Sequence, residues 1–447
     1  MGGDFIMQRR VPALAVLTGI FAAPATGLAA DIPVSMPTKA PPAVQESAQT
    51  WTVTVATEAR YFSWSGNRGT PTTIAPANNQ GASGSELYVP YAVQLLGRPN
   101  NDWKISLLGR GGWVWARQNT AGLTGEVETT TDTTFNGTIT YYGINGIQPF
   151  VALNANLPTG RSALFGTAAF ARMDGDLVDI ASFGEGLNIG PSVGFNLPLT
   201  QTFIITASGG YTWRDSYNRE RSTSETNPNI QSPTSVNPGD VWTATTGIGY
   251  QGQRFSINGT GSLSEESTTS ENGAPLYRAG RRYLFAGSTA YLWPESWGQT
   301  TLAGSFAHSN HNKVLFLGAS QLIGETMNTN SDVWRVGLQH LFAFKQMAIG
   351  PTSSYLHRDH NGYDATTLQF VPAKDRYAAG ALARFAINDR WTLNARVEHV
   401  WTHEYTHPAL ANGTQFSVLA NAFVAASSAP VVNSTGWQAA FGINARL

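Results

Sequence analysis

Hydrophobic and polar positions alternate along this chain in sixteen stretches of about ten residues each. In the stretch 390–403, the residues of one face are Trp391, Leu393, Ala395, Val397, His399 and Trp401. The residues of the other face are Thr392, Asn394, Arg396 and Glu398. A period of two is the pattern of a β-strand whose two faces meet different surroundings. The chain is therefore predicted to be all-β.

The connections between these stretches alternate between short and long. The predicted strands are 51–64, 85–97, 103–117, 133–144, 147–157, 186–197, 202–215, 239–251, 254–264, 281–293, 298–310, 332–343, 346–357, 375–387, 390–403 and 433–447. The long polar connections are 65–84, 118–132, 158–185, 216–238, 265–280, 311–331, 358–374 and 404–432. Within the last of these, Phe416–Ala426 is apolar and could hold further structure. Short turns at one end and long loops at the other are typical of an outer-membrane β-barrel.

Composition narrows the choice of fold class and of chemistry. The chain has 447 residues with a formal net charge of -1, and only 13% of them are charged. The mean hydropathy is -0.17. Beyond the N-terminus no apolar run reaches the roughly 18 residues of a spanning helix, which a closed barrel does not need. The near-neutral charge gives no global attraction to nucleic acid, and the absence of Cys excludes thiol chemistry.

The first fifty residues do not alternate. Residues 1–30 combine basic Arg9 and Arg10, an apolar run Val11–Ala23 and small residues before position 31. These features predict a secretory signal peptide; an uncleaved N-terminal anchor is the alternative. Residues 31–50 are rich in Pro and predict an extended periplasmic lead-in. This lead-in resembles the mature N-terminus of outer-membrane proteins from rhizobium-type alphaproteobacteria. The barrel is predicted to occupy 51–447.

Three features separate a membrane barrel from a soluble β-sandwich, which alternates in the same way. The apolar face carries almost no formal charge. Trp residues fall near the ends of the predicted strands, as two aromatic girdles would place them; Trp64, Trp213 and Trp401 lie near the long loops. The last strand alternates up to Leu447 and resembles the C-terminal signal of the barrel-assembly machinery, although that signal usually ends in Phe or Trp. We predict a transmembrane antiparallel up-and-down barrel of about sixteen strands in the bacterial outer membrane.

The predicted inward face is rich in basic residues. They are Arg60, Lys104, Arg110, Arg214, Arg254, Arg282, Arg335, Arg384, Arg396 and Arg446, against only Glu58 and Glu398. Rings of one charge set the selectivity of a pore, and a low-dielectric wall focuses their field. The pattern favours an anion-selective channel. The alternative is that these residues brace the barrel by pairing with acids of the loops.

Loop 158–185 follows the fifth predicted strand and carries Asp174, Asp176, Asp179 and Glu185. Strand number, loop position and charge sign resemble the general diffusion porins. The resemblance implies that this loop folds into the pore and that its acids face basic residues of the wall. On this interpretation Asp174, Asp176 and Asp179 face Arg60, Arg110, Arg384 or Arg396. The resemblance also favours a homotrimer. The alternative is a solvated acidic loop.

Other chemistry receives weaker support. Residues His403 to His407 match H-E-x-x-H, but strand periodicity precedes them and Pro408 follows, so the helix of a zinc protease is not predicted. A lipid-modifying hydrolase would use His308 or His399 with a nearby serine, and Ser305 falls on the opposite face from His308. A structural or adhesive barrel with a closed lumen is a further alternative.

The function best favoured by the sequence is a passive channel for small polar, anionic solutes. It needs no enzyme activity, cofactor or metal. The expected partners are outer-membrane lipids, lipopolysaccharide, the barrel-assembly machinery and the solutes themselves, with no nucleic acid.

Overall fold

The structure is a computed structural model, and it describes most of the barrel region of the chain. The described residues are 51–66, 82–120, 123–219, 234–294, 297–316, 319–365, 367, 370–405, 414–417, 422–425 and 432–447. The predicted signal peptide (1–30) and lead-in (31–50) lie outside them. Among the described residues, no helix has the length and apolar character needed to cross a bilayer.

Sixteen antiparallel strands form the barrel. They are β1 (Trp51–Gly66), β2 (Ala82–Asn100), β3 (Trp103–Thr120), β4 (Leu123–Thr130 and Thr133–Tyr141), β5 (Gln148–Leu157), β6 (Asn188–Pro198), β7 (Phe203–Arg214), β8 (Val241–Gln251), β9 (Phe255–Glu266), β10 (Arg282–Leu292), β11 (Gln299–Ser309), β12 (Val333–Phe344), β13 (Met347–Arg358), β14 (Lys374–Ala386), β15 (Trp391–Glu404) and β16 (Val432–Arg446). Each strand pairs with its neighbours in sequence. The predicted fold class and strand count are confirmed.

The sheet closes between its first and last strands. β1 pairs with β2 on one side and with β16 on the other, with Thr54 opposite Arg446 and Gly66 opposite Ser434. Closure leaves no sheet edge, so every strand finds hydrogen-bond partners within the barrel. This is what allows a β-sheet to sit in lipid.

The outer face of the barrel is apolar. Val193, Trp242 and Phe441 point outward and are 62%, 64% and 58% exposed. Trp213, Trp334 and Trp401 lie on the same face near the long-loop end, where an aromatic girdle is expected. Trp64 is an exception to the predicted girdle, because it points into the barrel and is only 4% exposed. A closed barrel with this outer belt is the architecture of a bacterial outer-membrane protein.

β4 is interrupted where a loop was predicted. Its first segment, Leu123–Thr130, lies at the long-loop end and pairs with β3 from Trp113 opposite Thr130 to Thr120 opposite Leu123. In its second segment, Thr133–Tyr141, the pairing with β3 starts with Thr134 opposite Arg110. Three residues of β4 therefore oppose two of β3, which is a β-bulge. The prediction of a loop at 118–132 was wrong, since the strand continues above the bulge.

Three long loops contribute to a second sheet outside the barrel. Its six short strands are Tyr217–Arg219, Thr234–Asn237, Thr268–Glu271, Ala274–Arg278, Lys313–Val314 and Ile323–Gly324. The last long loop contains a two-stranded hairpin of Thr414–Ser417 and Ala422–Ala425, which overlaps the apolar stretch Phe416–Ala426. These strands have two to five residues, too few to show an alternating pattern.

Candidate functional site

The loop between β5 and β6, residues 158–187, folds into the barrel. It contains a short 3₁₀ helix, Gly166–Ala171. Its apolar side chains pack against inward-facing apolar residues of the wall, and the indole N–H of Trp64 donates to the sulfur of Met173 at 3.1 Å. The buried cluster comprises Leu164, Ala171, Met173, Leu177, Val178 and Phe183 of the loop with Phe62, Trp64, Ala82, Val114, Ala116, Val127, Ala378 and Val400 of the wall. Burial of these side chains holds the loop against one side of the lumen.

A buried lysine links the loop to β14. The side chain of Lys374 is 2% exposed, and its ammonium contacts Asp174, Asp176 (3.2 Å) and Glu404 (3.7 Å). Arg358 reaches the same carboxylate of Asp176 at 3.2 Å. Burial alone would raise the pKa of Asp176, but the charges of Lys374, Arg358 and Arg335 outweigh it and hold the pKa well below its usual range. Asp176 therefore stays ionised and paired.

A second set of contacts joins the loop to β1 and β2. Asp179 lies 3.6 Å from the guanidinium of Arg60, which also contacts Glu58 at 3.0 Å. The carboxylate of Glu86 is 2% exposed and accepts a hydrogen bond from the backbone N–H of Ile180 at 3.3 Å. The loop is thus fixed to the wall at both Arg60 and Lys374.

The predicted pairs of loop acids and wall bases are only partly reproduced. Asp179 meets Arg60, as expected. Asp174 and Asp176 instead meet Lys374 and Arg358, so the expectation that they face Arg110, Arg384 or Arg396 was wrong. Lys374 and Arg358 were missed because each lies one residue outside a predicted strand, and the alternation was not extended to them.

Glu86 and Arg376 were missed for a different reason. Both lie within predicted strands and share the parity of inward residues, so alternation could have found them. The guanidinium of Arg376 lies 5.9 Å from the centre of the Phe62 ring and donates to Gln438 at 3.0 Å. Trp64 also shares the parity of Arg60, and the same signal places it inside the barrel.

The remaining predicted bases have varied surroundings. Arg384 donates to the neutral side chain of Asn394 at 3.1 Å, and Arg396 lies 3.6 Å from the buried carboxylate of Glu398. Arg214 pairs with Glu266 at 3.3 Å near the long-loop end. Arg110 is exposed on the inward face, whereas Arg254 is exposed in the short turn before β9. The others on the inward face are Lys104, Arg282, Arg335 and Arg446.

Glu185 lies at the end of the loop, near Arg214 of β7. Its backbone N–H donates to Asp132 at 2.7 Å. Burial raises the pKa of the Glu185 carboxyl; Asp132 and Glu266 add to this, and Arg214 opposes it. Glu185 therefore belongs to the anchorage of the loop.

The wall opposite the loop has small side chains. On strands β6 to β10 the inward positions are occupied mainly by Gly, Ser, Thr, Asn and Ala. Examples are Ser192, Ser208, Thr245, Asn258, Ser262 and Ser288. Short polar side chains take little room and hydrogen-bond to water, so this side of the lumen is suited to solvent.

The alternative chemistries find little support in the described residues. His403 faces outward and bonds to Asn433 at 2.7 Å, Glu404 faces inward, and His407 lies outside the described part. His308 pairs with Asp332 at 2.7 Å, but its other ring nitrogen faces the amide oxygen of Asn310 at 3.2 Å. Across the described ranges, no group of three or more His, Asp or Glu residues is arranged to hold a metal ion.

A closed sixteen-stranded barrel, apolar outside and narrowed by a loop from within, resembles the porin-type proteins of the outer membrane. No family model matches the chain, and no curated protein matches it. OccK7 (OpdD) of Pseudomonas aeruginosa has a TM-score of 0.41 at 7% identity, over 89% of this chain and 99% of that one. The anion-selective porin from Comamonas acidovorans has a TM-score of 0.36 at 12% identity, over 90% and 99%. The CymD monoaromatic hydrocarbon channel has a TM-score of 0.36 at 7% identity, over 90% and 89%. At these values the fold assignment rests on the chain's own strand pairings.

Proposed function

We propose that this chain is an outer-membrane channel for the passive diffusion of small polar solutes, with a preference for anions. The observation that carries the proposal is the asymmetry of the lumen. Loop 158–187 packs on the apolar part of the inner wall, while the wall opposite has short polar side chains. Sixteen strands leave room for water beside such a loop. This arrangement supports a narrowed channel over a closed structural barrel.

The preference for anions follows from the balance of inward charge. The inward bases are Arg60, Lys104, Arg110, Arg214, Arg282, Arg335, Arg358, Lys374, Arg376, Arg384, Arg396 and Arg446. The inward acids of the described strands are Glu58, Glu86, Glu266, Glu398 and Glu404. The loop acids offset part of this excess at Lys374, Arg358 and Arg60. The remaining excess is positive, and the low-dielectric body of the barrel focuses its field on the lumen.

Among the predicted pore-lining bases, Arg110 and Arg384 are the strongest candidates for contact with the solute. Arg110 is exposed in the lumen, and the hydrogen-bond partner of Arg384 is uncharged. Lys104, Arg335 and Arg396 would contribute to the field, and Arg254 would act at the periplasmic mouth. In this role the chain would be folded by the barrel-assembly machinery, lie among lipopolysaccharide and form a homotrimer.

Planar-bilayer recording of the purified protein under a KCl gradient tests the proposal. We expect stable conductance and a reversal potential on the anion side. Arg384→Gln should move that potential toward the cation side, because it removes one charge from the lumen. Arg117→Gln is the matched control, since Arg117 is exposed on the outer side of β3. Absence of conductance in the parent protein would favour a closed barrel, and equal shifts in both variants would exclude a filter in the lumen.

A further inference from the structure

A single carboxylate binds both ends of loop 158–187. The Oδ1 atom of Asp132 accepts a hydrogen bond from the backbone N–H of Gly160 at 2.9 Å. Its Oδ2 atom accepts one from the backbone N–H of Glu185 at 2.7 Å and one from the side-chain amide of Asn156 at 2.7 Å. Hydrogen bonds to a charged acceptor are stronger than neutral ones. Asp132 therefore joins the start of the loop, its end and the neighbouring strand β5.

The bulge in β4 explains how Asp132 can reach these donors. In the second segment of β4, Thr133–Tyr141, the even-numbered residues face inward, and Asn136 bonds to Asn154. In the first segment of β4, Leu123–Thr130, the odd-numbered residues face inward, and Val127 is buried beneath the loop. One extra residue reverses the face of the strand at this point and re-aims the side chains around it. Asp132 occupies the bulge itself.

The chain around Asp132 is tightly packed. A Cβ atom on Gly160 would lie 1.8 Å from the carbonyl oxygen of Phe183, so the two ends of the loop meet backbone to backbone. The hydroxyl of Thr159 donates to the carbonyl of Thr131 at 3.0 Å, and the hydroxyl of Thr130 donates to the carbonyl of Thr159 at 2.6 Å. The base of the loop is therefore held by close backbone packing and hydrogen bonds and is not a free hinge.

We propose that Asp132 is the positioning residue of the channel: it fixes the base of loop 158–187 and thereby the width of the opening beside it. The position of the loop can be tested in any folded barrel. The link from that position to pore width rests on the proposed function. The competing interpretation is that Asp132 only satisfies backbone groups, while the apolar cluster and Lys374 alone hold the loop.

Spin labelling separates the two interpretations, because the chain has no Cys and one can be introduced without background. Phe165, which precedes the 3₁₀ helix and is 44% exposed, is a suitable position. Phe165→Cys carrying a nitroxide would be compared with and without Asp132→Ala and Asp132→Asn. Asp240→Ala is the matched control, since Asp240 accepts the backbone N–H of Arg214 at 3.0 Å and the hydroxyl of Tyr211 at 2.6 Å at another strand end.

We expect a mobile spectral component in Asp132→Ala and a smaller one in Asp132→Asn, whose amide oxygen still accepts one bond. The Asp240→Ala spectrum should match the parent. An unchanged spectrum in both Asp132 variants would overturn the proposal; should the alanine variant fail to fold, Asp132→Asn decides alone. Conductance is then recorded for the same variants. If the label is mobile in the Asp132 variants but the parent protein does not conduct, the channel function is rejected and the positioning role of Asp132 is kept. If the parent conducts but the label stays rigid in every variant, the positioning role is rejected and the channel function is kept.

Discussion

Replacing Lys374 with methionine tests whether a buried cation holds the loop against the wall. Methionine keeps an unbranched apolar chain but removes the charge that Asp174, Asp176 and Glu404 share. The three carboxylates then lie close together with less positive charge to offset their repulsion. Asp176 keeps Arg358 at 3.2 Å, so the loss is partial. The loop should leave its docked position more often.

The expected magnitude follows from the burial of the pair. Removing one partner of a buried ion pair costs about 3–5 kcal/mol. The side chains of Asp174 and Asp176 are 20% and 15% exposed, and Arg358 remains, so we take the lower end of this range. About 3 kcal/mol corresponds to a change of roughly a hundredfold in the docking equilibrium. A loop docked almost permanently in the parent should thus become detectably undocked.

A nitroxide at Phe165→Cys and single-channel recording measure the effect together. Lys374→Met should give a mobile spectral component and noisier, larger open currents. Lys313→Met is the control, because Lys313 is exposed in the sheet outside the barrel. Adding Asp174→Asn should restore part of the docking, since it removes an uncompensated carboxylate. A Lys374→Met protein with the rigid label and quiet currents of the parent would refute the reasoning and leave the apolar cluster as the sole support.

Two other predictions concern the open wall and the base of the loop. Ser262→Trp should lower conductance because it fills the small-residue side of the lumen. Leu263→Trp is the control and should leave conductance unchanged, since Leu263 is the next residue and lies on the outward face of β9. Equal currents in the two variants would mean that solute does not pass along this side of the lumen. Glu185→Gln should remove a pH dependence of loop mobility. Because the pKa of the Glu185 carboxyl is raised in the folded state, the protonated carboxyl is the form that favours folding. The contribution of this group to stability is therefore largest at acidic pH and is lost as pH rises through the raised pKa. Label mobility measured between about pH 4.5 and pH 8 checks this; a flat parent profile would contradict it.

The strands of the barrel could be predicted from the sequence because alternation over about ten residues is a strong signal. Apart from the start of β4, which was predicted at 133 and lies at Leu123, the predicted and observed bounds differ by three residues at most, as at β2, which begins at Ala82 and ends at Asn100. The sheet outside the barrel could not be predicted in this way. Its strands are short, and their pairing joins segments from separate loops, so nothing local specifies it.

The partners of the loop acids were harder to predict than the position of the loop. The bases that Asp174 and Asp176 meet depend on the path of the loop through the lumen, and that path is set by contacts distant in sequence. Lys374 lies 200 residues from Asp174. A list of inward bases does not choose among such candidates, because every arginine on the wall satisfies the same charge rule.

The inner wall itself contains the missing information. Water-filled channels rarely gain from inward apolar side chains, since exposing them to water is unfavourable. Yet Phe62, Trp64, Val114 and Val400 all face inward, and each is buried under or beside the loop. From β6 to β10 the inward positions are mainly Ser, Thr, Asn, Gly and Ala, and this part of the wall needs less cover. The large apolar residues clustered on β1, β3 and β15 therefore mark where the loop lies. Their inward parity can be read from the sequence, so Phe62 and Trp64 of β1, Val114 of β3 and Val400 of β15 are the positions at which the burial of apolar side chains indicates a covering loop.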